Sequence, residues 1–231
     1  MKSLMVAGIA VGLIGCQGGG EKKVTLENQN DKISYSIGVN IGSSFKRDSI
    51  VVDPEIVLRG MKDASLDSTK RLMTEAQVQE TIVAFRQDME KKKMEQARAA
   101  GDRNKVEGEA FLAANKSRPG VVTLPSGLQY EVITEGKGVR PKPDQAVTAH
   151  YRGTLIDGTE FDNTYKRGEP AVFPVNRGIP GWTEALQLMK VGSKWKLYIP
   201  STLGFGERSP GGQIGPNQAL IFEIELLSIH G

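Results

Sequence analysis

Cysteine is almost absent from this 231-residue chain: Cys16 is the only one, so no intrachain disulfide can form. Histidine is nearly as scarce, with only His150 and His230. A His/Cys metal centre or a histidine-based triad therefore has almost no material, and the expectation is no metal and no cofactor. Charge of one sign is not in excess either. The formal net charge is +3, too small to indicate nucleic acid or another polyanion as partner. Long apolar runs are missing as well: Leu4 to Leu13 covers about half of the roughly 20 residues a bilayer-crossing helix needs. The glycines at Gly211-Gly212 lack the Gly-Lys-Ser/Thr ending of a phosphate loop, which argues against nucleotide binding. With 39% hydrophobic and 25% charged residues, a wholly disordered chain or a multi-span membrane protein is disfavoured, and the length fits one or two domains. Much common enzyme chemistry is thereby set aside, and motifs must supply the positive answer.

The first motif is an address. Met1-Lys2 gives a short positive start, Leu4 to Leu13 an apolar stretch, and Leu13-Ile14-Gly15-Cys16 closes it. This end resembles a bacterial lipoprotein signal. The resemblance implies a signal peptide over residues 1–15, cleavage after Gly15, and lipidation of Cys16 as a membrane anchor. Gln17 in place of Asp implies, by the same analogy, the outer membrane, facing the periplasm or the cell surface. An ordinary secretory signal with an incidental cysteine is the alternative. Residues 16–30 follow as the lipidated Cys and a tether that includes Gly18-Gly19-Gly20.

Residues 31–118 read as helices. Ile33, Ile37 and Ile41 follow Asp31 at helical spacing, and Asp53-Pro54-Glu55 is a helix start with a capping side chain and Pro at the first helical position. Ile56, Val57 and Met61 are expected to face a core. Thr74-Glu75-Ala76-Gln77 fits a capping box. Nothing then interrupts a helix until Pro119. Its middle, Arg86 to Glu109, is polar all round, the pattern of a helix that bridges domains through solvent, with Gly101 and Gly108 as expected weak points. Lys91-Lys92-Lys93, flanked by Glu90 and Glu95, reads as a solvated ion-paired face more readily than as a nucleic-acid or lipid patch. The methionines Met61, Met73, Met89 and Met94 suit a surface that packs against a partner. A homodimer through these helices is one reading, and a small three-helix core the other.

Residues 119–231 switch to period two. Val147, Ala149 and Tyr151 alternate with Thr148, His150 and Arg152; Trp195, Leu197 and Ile199 alternate with Lys194, Lys196 and Tyr198; Leu220, Phe222, Ile224 and Leu226 share one face. Asp157-Gly158 predicts a hairpin turn, and Gly181 to Met189 a short helix. The fold class is α+β, an antiparallel sheet wrapped on a short helix behind an N-terminal helical region with a long connecting helix.

Four motifs in this half carry a resemblance. Ala149-His150-Tyr151-Arg152-Gly153-Thr154-Leu155, Asp157-Gly158-Thr159-Glu160-Phe161-Asp162, Gly178-Ile179-Pro180-Gly181-Trp182 and Leu220-Ile221-Phe222-Glu223-Ile224-Glu225-Leu226 resemble, in order and spacing, the signature of FKBP-type peptidyl-prolyl isomerases. Lys32 to Gly38, Glu107 to Leu112 and Pro125 to Tyr130 resemble the Mip-type and FkpA-type branch. The resemblance implies a rotamase that assists folding of proline-containing unfolded or partly folded proteins, and a homodimer through the N-terminal helices. Its alternative is a dimeric holdase or surface binding module with secondary isomerase activity.

Such a reaction suits a chain poor in catalytic residue types. Rotation about an Xaa-Pro amide breaks no covalent bond; its barrier of about 18–20 kcal/mol is amide resonance. An apolar pocket lowers that barrier because the twisted amide is less polar than the planar one. The resemblance implies Trp182 as the pocket floor under the proline ring, with Tyr151, Phe161, Phe173 and Phe222 as walls. It implies the Ile179 N–H as donor to a substrate carbonyl, Asp162 as the polar group beside the reacting amide, and Ile214 as a contribution from a flap. Phe205 departs from the family, which carries Tyr there, and so forgoes one hydrogen bond. Gly178 and Ala171 are smaller than the residues usual at their positions.

Overall fold

The computed structural model describes residues 24–65 and 71–231, and these fall into two compact units divided after Val78. Cys16, its cleavage box and the Gly-rich tether lie outside the described residues.

In the first unit, α1 (Gln29–Arg47) starts ahead of the expected Asp31. Asn28 is the cap: it accepts the Asp31 N–H at 3.0 Å, and the Asp31 carboxylate accepts the Asn28 N–H at 3.2 Å. Asp31 is thus the third helical residue of a capping box. α2 (Pro54–Ala64) starts as expected, with Asp53 Oδ1 accepting from the Glu55 N–H at 2.8 Å. The expected core is not there. α1 buries no residue and α2 buries only Asp63, while Ile37 is 54% and Ile56 70% exposed. Two short helices and one turn cannot enclose a core, so their apolar stripes stay outside in the single chain.

α3 (Glu75–Asn115) opens on the predicted capping box, with Thr74 and Gln77 exchanging hydrogen bonds of 2.9 and 3.3 Å. At ~1.5 Å per residue it is about 60 Å long. Residues 90–99 are exposed, as the all-polar middle predicts. Beyond them the expectation fails. Gly101 and Gly108 are buried, and a Cβ on either would stand 3.2 Å from Pro216 Cβ or 3.0 Å from Ala219 Cβ. They are the places where another chain segment presses onto the helix, not loose joints. Asn115 ends the helix inside the fold, donating to Gln129 Oε1 at 2.8 Å, while Gln129 Nε2 donates to the Leu112 carbonyl at 2.9 Å.

The second unit is a seven-stranded antiparallel sheet: β1 (Val121–Thr123), β2 (Gln129–Thr134), β3 (Ala146–Leu155), β4 (Glu160–Asn163), β5 (Ala171–Pro174), β6 (Lys194–Ile199) and β7 (Leu220–His230). The order is β1-β2-β6-β7-β3-β4, with β5 also on β3. A turn, α4 (Thr164–Arg167), joins β4 to β5, and α5 (Pro180–Leu188) packs on the concave face. Trp182, Ala185 and Leu186 of α5 meet Leu197, Ile199 and the four alternating residues of β7 in one core. A bulge at Leu227, between the pairs Ala149–Leu226 and Thr148–Ser228, keeps Ile229 on the core side. Tyr198, expected to face outward with Lys194 and Lys196, is 1% exposed. The last turns of α3 cover it: the Phe111 ring lies 6.1 Å away, and Arg118 Nη1 donates to the phenol at 3.0 Å.

Candidate active site

The β3–β4 hairpin forms as its Asp-Gly pair predicts. Gly158 takes φ +88°, Asp157 Oδ1 accepts the Thr159 N–H, and the Leu155 N–H bonds the Thr159 carbonyl at 2.8 Å. The turn sets Asp162 opposite Gly153. Gly153 is required there: a Cβ would fall 2.5 Å from the Phe161 ring and 2.7 Å from that of Phe222. Its absence lets the two rings meet edge to face, centroids 5.4 Å apart.

From the other side comes the start of α5. Pro180 opens the helix and the Trp182 N–H closes its first turn on the Ile179 carbonyl at 2.9 Å. Trp182 is thereby driven into the barrel-like sheet. Its ring meets Tyr151 and Phe222 edge to face, each at 4.9 Å and 79°. The Ile179 N–H has no hydrogen-bond partner among the described residues, nor has the buried indole N–H of Trp182.

Above this floor lies an open cavity of about 610 Å³. Tyr151, Phe161, Asp162, Ile179, Trp182, Phe205, Ile214 and Phe222 all line it, so eight of the nine residues expected at a site come together. Phe173 does not. It stands behind Trp182, ring centroids 5.0 Å apart, and buttresses the floor without reaching the cavity. Arg177, Gly178 and the segment Pro210–Gln213 complete the rim. That segment is braced by Ser209, whose Oγ donates to the Ile214 carbonyl and accepts the Gly211 N–H at 3.0 Å.

The polar feature of the cavity is a fixed carboxylate. Tyr151 Oη donates to Asp162 Oδ2 at 2.6 Å, and the Arg167 guanidinium pairs with Asp162 Oδ1 while donating to Tyr151 Oη at 3.2 Å. Burial pushes the Tyr151 phenol above its ordinary value, the hydrogen bond to Asp162 adds to this, and Arg167 acts against it. The phenol therefore stays a donor across the neutral range. Arg167 escaped the sequence reading. The one local signal for it is Asn163, whose Oδ1 accepts the Tyr165 N–H at 2.9 Å and starts the turn that carries Arg167 back to Asp162.

The titratable side chains on the lining are Tyr151, Asp162 and Arg177; it holds neither histidine nor cysteine. The arrangement can enclose an apolar ring, offer one backbone donor beside it, and hold one negative charge still.

Comparisons with known proteins agree with this geometry. A family model described as FKBP-type peptidyl-prolyl cis-trans isomerase matches residues 137–227, and one described as the domain amino terminal to it matches residues 30–132. The chain is 47% identical over 205 residues to "Outer membrane protein MIP" of Legionella longbeachae, covering 89% of this chain and 88% of that one. It is 41% identical over 229 residues to "Peptidyl-prolyl cis-trans isomerase Mip" of Coxiella burnetii, covering 99% of each. The crystal structure of FkpA from Escherichia coli superposes with a TM-score of 0.71 at 34% identity, over 89% of this chain and 99% of that one.

Proposed function

The chain belongs to the FKBP-type peptidyl-prolyl cis-trans isomerases, and from that premise we propose how its aromatic cavity performs the reaction. The protein is an isomerase that assists folding in the bacterial envelope, acting on Xaa-Pro bonds of unfolded or partly folded proteins. The family match favours this activity over a holdase or surface-binding module.

The proline ring sits on Trp182, between Tyr151, Phe161 and Phe222, with Phe205 and Ile214 closing over it. The Ile179 N–H donates to a carbonyl of the substrate and holds the chain on one side of the bond. Removing the planar, polar amide from water disfavours it against the twisted form, whose C–N bond has lost double-bond character. The Asp162 carboxylate is held by Tyr151 and Arg167, so no reorganisation is needed as the amide dipole changes. Catalytic roles fall to Asp162, Tyr151 and Trp182. The observation that carries this reading is the fixed Asp162 carboxylate at the edge of an aromatic-lined cavity.

Two tryptophans make the test simple, because Trp195 packs away from the cavity against Tyr130. In a Trp195→Phe chain Trp182 is the only tryptophan emitter. A saturating apolar-Pro peptide should shift its emission; an active enzyme whose emission does not move would put the reaction elsewhere.

The rest of the chain fits delivery of this domain. Residues 1–15 serve as signal peptide, 16–30 as lipidated Cys16 and tether, 31–118 as helical dimerisation region and linker, and 119–231 as isomerase domain. The Cys16 box and a relative named for the outer membrane support an anchor. No helix among the described residues is long and apolar enough to cross a membrane. The exposed apolar faces of α1 and α2 support a homodimer that buries them.

A further inference from the structure

α3 does more than connect. From Gly101 onward its inward residues recur at helical spacing, Gly101, Asn104, Gly108, Phe111 and Asn115, and the first three meet the stretch between the flap and β7. Asn104 Nδ2 donates to the Pro216 carbonyl at 2.8 Å. Gly101 and Gly108 form notches that receive Pro216 and Ala219, and Gly215 in turn leaves room for Asn104, 3.1 Å from where its Cβ would be.

The clamped stretch touches two walls of the cavity. Ile214 immediately precedes it. Asn217, held at φ +54°, donates its N–H to the Gly206 carbonyl at 2.7 Å, next to Phe205. Asn is among the few non-glycine residues that enter this left-handed region readily, and the bond to Gly206 holds it there. The Asn217 side chain lies against the Gly101 notch, 3.3 Å from the position of an added Cβ.

We propose that Asn104 is a positioning residue for the isomerase reaction: seated between the two glycine notches, it sets Phe205 and Ile214 over the bound proline from helix α3. The proposal rests on the cavity being the isomerase site. It acts on how tightly the cavity closes on substrate, not on the carboxylate, so its effect belongs to KM more than to kcat.

The test uses the full chain with Asn104→Ala, which removes the donor but favours helix, and Asn104→Asp, which replaces the donor by an acceptor facing a carbonyl. Each variant is assayed for kcat and KM on an apolar-Pro peptide, with Tm measured alongside. The expected result is a KM raised about threefold or more in both variants, with kcat within about twofold of the parent. KM unchanged in folded Asn104→Ala and Asn104→Asp would overturn the proposal, whatever happens to Tm, since a purely structural contact moves Tm alone. If Asn104→Asp does not fold, Gly108→Ala tests the same clamp at its neighbouring contact by pushing on Ala219 in a helix made intrinsically stronger. KM should again rise, and an unchanged KM overturns the proposal equally. An inactive parent chain would instead defeat the isomerase site itself, which keeps the two failures distinct.

Discussion

The Tyr151 hydroxyl and the Asp162 carboxylate share a 2.6 Å hydrogen bond across the β3–β4 pair, and Arg167 contacts both. The carboxylate is therefore aimed by two donors, and whether that aim serves the reaction is open to direct test.

Arg167→Ala should separate aim from stability. The pair with Asp162 is well exposed, at 47% and 36% of the side chains, so its loss should leave the denaturant unfolding midpoint nearly unchanged. Activity should fall further, about threefold to tenfold in kcat/KM, through loss of a charge-assisted contact to the working group. Equal kcat/KM in the two chains would mean that Tyr151 alone holds the carboxylate.

Gly153→Ala should damage floor and fold together. The new methyl group would enter the Phe161 and Phe222 rings at 2.5–2.7 Å, and overpacking of this kind costs about 1–3 kcal/mol. Urea unfolding should show that loss and a peptide assay a matching fall in activity. A variant with unchanged midpoint and turnover would show that the two rings have room to part.

Phe205 lines the cavity without a hydroxyl. Phe205→Tyr adds a donor at the rim of the cavity, and a hydrogen bond is worth about 0.5–1.5 kcal/mol. Affinity for an apolar-Pro peptide should rise by up to about tenfold, read by calorimetry. If both affinity and catalytic efficiency stay as they were, the missing hydroxyl has no part in this cavity.

The chain ahead of the isomerase domain predicts two further outcomes. Ile37→Lys with Ile56→Lys places charge on faces that are exposed in the single chain. Sedimentation should change from dimer to monomer while peptide isomerisation persists. Cys16→Ser should move the protein out of the membrane fraction; retention there would remove the lipid anchor from the account.

The lessons of sequence follow the reach of its signals. Thr74 with Gln77, Asp157 with Gly158, and the alternation of Leu220 to Leu226 are local patterns, and each forms the element it predicts. Aromatic identity in motif order located the cavity. The opening of α1, Tyr198, Gly101, Gly108 and Phe173 depart from what local pattern predicts, for different reasons. Asn28 caps α1, so the helix opens two residues before Asp31. The other four depend on what arrives from far along the chain: α3 over Tyr198, Pro216 and Ala219 into the glycine notches, Trp182 in front of Phe173. Arg167 is the same case in reverse, an ordinary charged residue until the α4 turn returns it to Asp162. The apolar stripes of α1 and α2 were legible as stripes. What covers them is not a property of one chain.

The most direct measurement of the central claim is cis–trans isomerisation of an apolar-Xaa-Pro peptide by the purified chain, with Asp162→Ala beside it under identical conditions. Marked acceleration by the parent chain, and a fall of about tenfold or more in kcat/KM in the variant, is the result predicted for a cavity that works through a fixed carboxylate. Full acceleration retained by folded Asp162→Ala would contradict it and leave the aromatic enclosure alone as the source of catalysis.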